Sequence, residues 1–203
     1  MQLNTVRAVV GYRSWLVAIT VLLALAPELN AQQVVARGAF GKPAQVLDQT
    51  GQWSTPLQLA SDSDVQIFMP DVSNPDWLKS NYDSYQNQGN YTLSLFTRYK
   101  RPDACRANQT AWGLGDAAHL NACATVGYRV HTVRIDPHSR SVILLQAAMT
   151  DQNGNVIPSL VEKRTAYRSW DQLDATSLSA VKKANDLVAA QMKSYYDRLN
   201  NPR

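Results

Sequence analysis

Apolar and polar positions alternate most cleanly from Tyr91 to Tyr99. Tyr91, Leu93, Leu95, Thr97 and Tyr99 fall on one side, and Thr92, Ser94, Phe96 and Arg98 on the other. A period of two marks a β-strand with two different faces. Tyr128 to Ile135 alternates in the same way, Asp136-Pro137-His138-Ser139-Arg140 is rich in turn formers, and Val142 to Met149 runs apolar, which together predict a hairpin. Val65 to Met69, β-branched and aromatic and stopped by Pro70, predicts a further strand. Asn153-Gly154 marks a reverse turn, beyond which Val156-Ile157 and Val161 to Tyr167 offer two pieces of strand interrupted at Pro158. Nearer the start, Val34-Val35 and Val46-Leu47 suggest an early hairpin turning at Gln49-Thr50-Gly51 before Trp53.

Two segments follow a helical period instead. Ser73-Asn74-Pro75-Asp76 places a capping side chain, a proline and an acid in the order that starts a helix. Trp77, Leu78, Tyr82 and Tyr85 then recur three or four residues apart until Gly89, a residue suited to the left-handed turn that ends helices. From Asp174 to about Leu199, Leu178, Val181, Leu187, Val188, Met192, Tyr195 and Leu199 keep one face, with Lys182, Lys183, Asp186 and Lys193 mostly opposite. An antiparallel sheet that feeds such a helix buries one face beneath it. The predicted fold is therefore α+β: an antiparallel meander covered on one face by a C-terminal amphipathic helix, with one short additional helix and a stapled loop.

That loop follows from the two cysteines, Cys105 and Cys123, the only ones in the chain. The stretch between them, Arg106 to Ala122, contains Asn108, Gly113, Gly115 and Asn121 and shows no strand period, so it reads as an irregular excursion closed by a disulfide.

The first 31 residues belong to none of these patterns. Arg7 and Arg13 precede an uncharged run from Trp15 to Ala26, Pro27 breaks it, and Leu29-Asn30-Ala31 offers a cleavage site. As a helix this run of about twelve residues rises only about 18 Å, too little for a hydrocarbon core of about 30 Å. Residues 1–31 are expected to be a cleaved export signal and 32–203 a single domain without a permanent membrane anchor, in the periplasm or secreted. The signal holds two of the 20 basic residues and one of the 16 acidic ones, so the remainder carries a net charge of +3. Its basic residues are dispersed in pairs such as Lys100-Arg101 and Lys182-Lys183, which argues against nucleic acid as partner.

Chemistry is sparse. His119, His131 and His138 have no metal-binding helical spacing, and neither HExxH nor G-x-S-x-G occurs. His131, in an alternating strand, reads as a surface or satisfied polar residue. Asp151, Asn153, Asn155 and Glu162 match four places of a calcium loop, but Val156 stands where that loop needs glycine. No catalytic residue, metal or cofactor is assigned. The expected function is that of an exported, non-enzymatic binding or accessory protein of a bacterial cell envelope, perched on another envelope protein through Trp112 and His119 of the stapled loop, as an inhibitor or immunity factor would be. Two alternatives stand beside it. One is a hydrolase of cell-wall or glycan substrates drawn from His119, His131 and nearby aspartates. The other is a glycan or small-ligand binder, using Trp77, Tyr82 and Tyr85 as a stacking surface, which requires that helix face to be open.

Overall fold

Strand alternation and helix caps place the elements of the computed structural model, which describes residues 36–37, 45–47, 53–125, 128–151 and 155–201. The segment expected to be an export signal (1–31), Val34-Val35, and the turns expected at 49–51 and 153–154 lie outside the described residues. Among the described residues, nine strands form two sheets. A small antiparallel sheet joins β1 (Ala36–Arg37), β2 (Gln45–Leu47) and β3 (Trp53–Ser54). The main sheet is a six-stranded meander in sequence order, β4 (Leu57–Ser61), β5 (Val65–Met69), β6 (Tyr91–Tyr99), β7 (Tyr128–Asp136), β8 (Ser141–Thr150) and β9 (Glu162–Ser169), antiparallel throughout. Two single 3-10 turns, Pro158–Leu160 and Trp170–Gln172, flank β9. The fold is α+β.

The two helices with visible caps form where expected. In α1 (Pro75–Gln88) the Asn74 side chain accepts from the backbone N–H groups of Asp76 and Trp77. It ends at Gly89, whose φ of 68° and close approach to the His138 ring both exclude a side chain. In α4 (Ala175–Asn200) the Asp174 carboxylate accepts from the Ser177 N–H and hydroxyl.

The stretch between the cysteines corrects the sequence reading. It is helical rather than irregular, comprising α2 (Pro102–Ala111) and α3 (Ala117–Ala122), and the Cys105–Cys123 disulfide joins the two. The start signal is present in Arg101-Pro102-Asp103, but the helix buries Cys105 and Gln109 and has no stripe of large apolar residues.

The main sheet buries both faces. On one, Tyr91, Leu93 and Leu95 of β6 and Val133 and Ile135 of β7 pack against Trp77 and Leu78 of α1 and Val181, Ala184, Val188 and Met192 of α4. On the other, Phe68, Phe96 and Tyr128 meet Val46 of the small sheet. A third cluster gathers Tyr99, Met149 and Leu160 around the disulfide. Among the described residues no helix is long and apolar enough to cross a membrane.

Candidate functional site: a cavity between the sheet and two helices

Packing between α2, α4 and the main sheet leaves a cavity. Ala104, Ala107 and Ala111 of α2 and Thr176 and Ala180 from the first turns of α4 are among its lining residues. Such short side chains do not reach the strands, so a cavity of about 510 Å³ opens between them. Ile67 of β5, Leu95 and Thr97 of β6, and His131 and Val133 of β7 form its floor, and Trp112, just past the end of α2, forms a wall. Asp62, Asp64 and Asp174 lie among its lining residues where the turn between β4 and β5 meets the start of α4. The size falls within the range of about 300–1,000 Å³ typical of small-molecule sites, as does the mix of apolar walls with a few polar groups.

His131 is the polar group of the floor. Register on β7 sets it opposite Leu95 of β6 and Ala147 of β8, so it shares a face with Val133 and Ile135. It is only 5% exposed, and its Nε2 has no hydrogen-bond partner among the described residues. It is thus neither the surface histidine nor the satisfied one that its strand position suggested. The Trp112 ring lies beside it, centroids 5.4 Å apart and planes inclined by 55°. Burial, and next the positive charge of Arg129, hold its pKa well below the ordinary imidazole value of 6.5, so the ring is neutral at neutral pH.

Arg129 lies two residues earlier on the same face and is fully buried. Its Nη1 donates to Asn108 Oδ1 of α2 and, at 3.4 Å, to the Tyr99 hydroxyl. The same hydroxyl donates to Asn108 Oδ1 at 2.9 Å. This trio ties α2 to β6 and β7 behind the cavity, as the disulfide ties α2 to α3. Burial lowers the Arg129 pKa and the neighbouring Tyr99 and Glu162 oppose the fall; a guanidinium remains charged at neutral pH.

The carboxylates of the rim are held in place. Asp62 accepts from the Thr176 hydroxyl and from the backbone N–H groups of Asp64 at 2.6 Å and Val65 at 2.8 Å. Burial pushes its pKa up, but these bonds and nearby Lys100 outweigh it and keep the group below 3.8. Asp64 accepts from Arg101 Nη2 at 2.6 Å. On the far side of Trp112, the Arg168 guanidinium sits 5.7 Å from the indole centroid and donates to the Ala111 carbonyl at 2.7 Å.

The residues singled out from sequence fall in three places. Trp112, 9% exposed, faces the cavity and is not displayed outward. His119, also 9% exposed, is turned away from solvent in α3 and does not line the cavity. Its Nδ1 is 2.5 Å from Asp116 Oδ2 and its Nε2 is 3.9 Å from Glu162 Oε2. Packing thus turns both side chains inward. Trp77, 1% exposed, is sealed in the core edge-on to Tyr91, ring centroids 6.4 Å apart, so it has no face for a sugar. Tyr82 and Tyr85, partly buried, pack against Tyr195 and Tyr91. Sequence reasoning missed Asn108, Thr97 and Arg129. The alternation of β6 and β7 did place Thr97 and Arg129 on one face, but the element covering that face had not been recognised.

The histidines do not combine into an acid–base device. His131 lines the cavity without a carboxylate or hydroxyl bonded to its Nε2, whereas His119 holds a carboxylate outside it. Among the described residues no three His, Cys, Asp or Glu side chains gather as a metal site. In the would-be calcium loop, Asp151 accepts from the backbone and side-chain amides of Asn155, the arrangement of a turn. No protein family, curated protein or solved structure matches this chain.

Proposed function

We propose that this is an exported, non-enzymatic binding protein whose ligand is a small, largely apolar molecule held between α2, α4 and the main sheet. The cavity carries this reading: it holds about 510 Å³ beside Trp112, between two helices and the sheet. A disulfide and a charge-free stretch after two N-terminal arginines support export to an oxidising compartment such as the periplasm. On this account residues 32–203 act as a single domain, and an envelope protein is the natural donor or acceptor of the ligand. The inward turn of Trp112 and His119 favours a small ligand over a docked inhibitor-type partner.

The test is titration of the purified protein with N-phenyl-1-naphthylamine, an uncharged apolar dye that brightens on leaving water. A saturable rise is expected. Ala107 is exposed on α2 at the cavity mouth, so Ala107→Trp should leave the fold intact and abolish the rise. No saturation, or an undiminished signal in the variant, would refute the proposal.

A further inference from the structure

We infer that the outer face of the main sheet, turned away from α1 and α4, binds an acidic glycan whose uronate carboxylates pair with Arg134 and Lys163 while one sugar ring lies on Tyr167. This site is separate from the cavity. Strand register assembles it. Thr92 of β6, Arg134 of β7, Ile143 of β8 and Tyr167 of β9 stand abreast in one row, and Ser94, Thr132, Gln146 and Lys163 in the next. Phe96 and Val130, in the row beyond, meet Val46 of the small sheet, which covers that end. The other two rows carry Arg134, Lys163 and Tyr167, all exposed. Tyr167, at 55%, is the most exposed of the large hydrophobic side chains among the described residues.

Three features of this face select the ligand. The first is charge. Among the described residues neither Arg134 nor Lys163 has a carboxylate within ion-pair distance. The two rows contain no acidic residue, and Asp136, where β7 turns, already accepts from the backbone N–H groups of His138 and Ser139. Two unopposed cations favour an anion. The second is the ring, for Tyr167 turns an aromatic surface to water, and the C–H groups of a sugar pack on such a surface. The third is the ground between. Thr132 and Gln146, with Thr165 placed between Lys163 and Tyr167 by the alternation of β9, are neutral groups that both donate and accept, as sugar hydroxyls require. A lipid surface would call instead for projecting aliphatic chains, and Ile143, half-buried, is the only aliphatic residue of the two rows. Tyr167 and Arg134 stand two strands apart, about 10 Å, and Tyr167 and Lys163 four residues apart, about 13 Å, within reach of a short oligosaccharide.

The experiment is isothermal titration of the purified protein with tetragalacturonate, with maltotetraose as the neutral glycan and a pentadecaglutamate peptide as the acidic non-glycan. Tetragalacturonate is expected to bind saturably and on the order of tenfold more tightly than maltotetraose, the combined worth of two exposed ion pairs. Most of that margin should vanish in about 0.5 M sodium chloride, which screens exposed charges. Arg134→Ala with Lys163→Ala should bring tetragalacturonate down to the affinity of maltotetraose. Tyr167→Ala should weaken both glycans severalfold and leave the peptide unchanged. These side chains are exposed, so thermal melts of the variants should match wild type, and N-phenyl-1-naphthylamine titrations should be unaltered, which separates this site from the cavity. No saturable binding of tetragalacturonate, equal binding of the two glycans, or full affinity in either variant overturns the inference. Tighter binding of the peptide than of tetragalacturonate also overturns it, and makes the face a dock for an acidic protein segment.

Discussion

Replacing His131 tests the described environment of the cavity floor without any ligand. In the folded protein its imidazole stays neutral well below 6.5, chiefly through burial and secondarily through Arg129. The unfolded chain has no such restraint and takes up a proton near pH 6.5. Below that pH the unfolded state therefore binds one proton more than the folded state, and stability falls as pH falls. At neutral pH and above, neither state is protonated and the effect vanishes. Between pH 7.5 and 5.0 the unfolded histidine gains about 2 kcal/mol from protonation, and the folded one, held well below the ordinary value, gains less. Urea denaturation followed by circular dichroism at both pH values, in wild type and His131→Phe, isolates this term because other titrating groups are common to both. Wild type is expected to lose up to about 2 kcal/mol more than the variant over this interval. At pH 7.5 the variant should be about as stable as wild type, since it removes a polar atom without a partner among the described residues. An identical pH dependence in the two proteins would refute the buried, neutral imidazole, and a loss of several kcal/mol at pH 7.5 would show that Nε2 is bonded after all.

Three further outcomes follow from the packing. Cys105→Ala with Cys123→Ala opens a loop closed across 18 residues of sequence, so urea denaturation should show a loss of about 3 kcal/mol, and dye affinity should fall because α2 loses its tie to α3. Trp77→Ala removes a ring that is 1% exposed, for a cost of about 3–5 kcal/mol in the same assay, with no direct effect on the cavity chemistry. Asp174→Ala removes the cap of α4 and should cost about 1 kcal/mol in the same assay.

Much of this architecture is legible in the chain. β6 spans Tyr91–Tyr99, the range marked by its alternation, because a central strand must bury one face under helices. α4 follows Asp174 because its apolar stripe and cap agree, and Cys105 and Cys123 pair as their isolation suggests. What escaped was α2, for a physical reason tied to the site. α2 buries Cys105 and the polar Gln109 and borders the cavity with alanines, so it offers no period of large apolar residues to detect. The cavity was hidden with it. The alternation on β7 set Arg129, His131 and Val133 on one face, but whether that face met solvent, a helix or a void depended on the unrecognised element above it. Trp77 is a case of another kind, since aromatic rings at helical spacing more often belong to a core than to a ligand platform, and its burial edge-on to Tyr91 places it in the core.

The most direct test of the account is to map where N-phenyl-1-naphthylamine perturbs the backbone amide spectrum of the isotopically labelled protein. Binding in the cavity predicts saturable shifts confined to 104–112 in α2, 174–181 at the start of α4, and the neighbourhoods of Leu95, Thr97, His131 and Val133 on the sheet. Shifts centred on the small sheet or on the exposed side of α4, or no saturable shift at all, would contradict it.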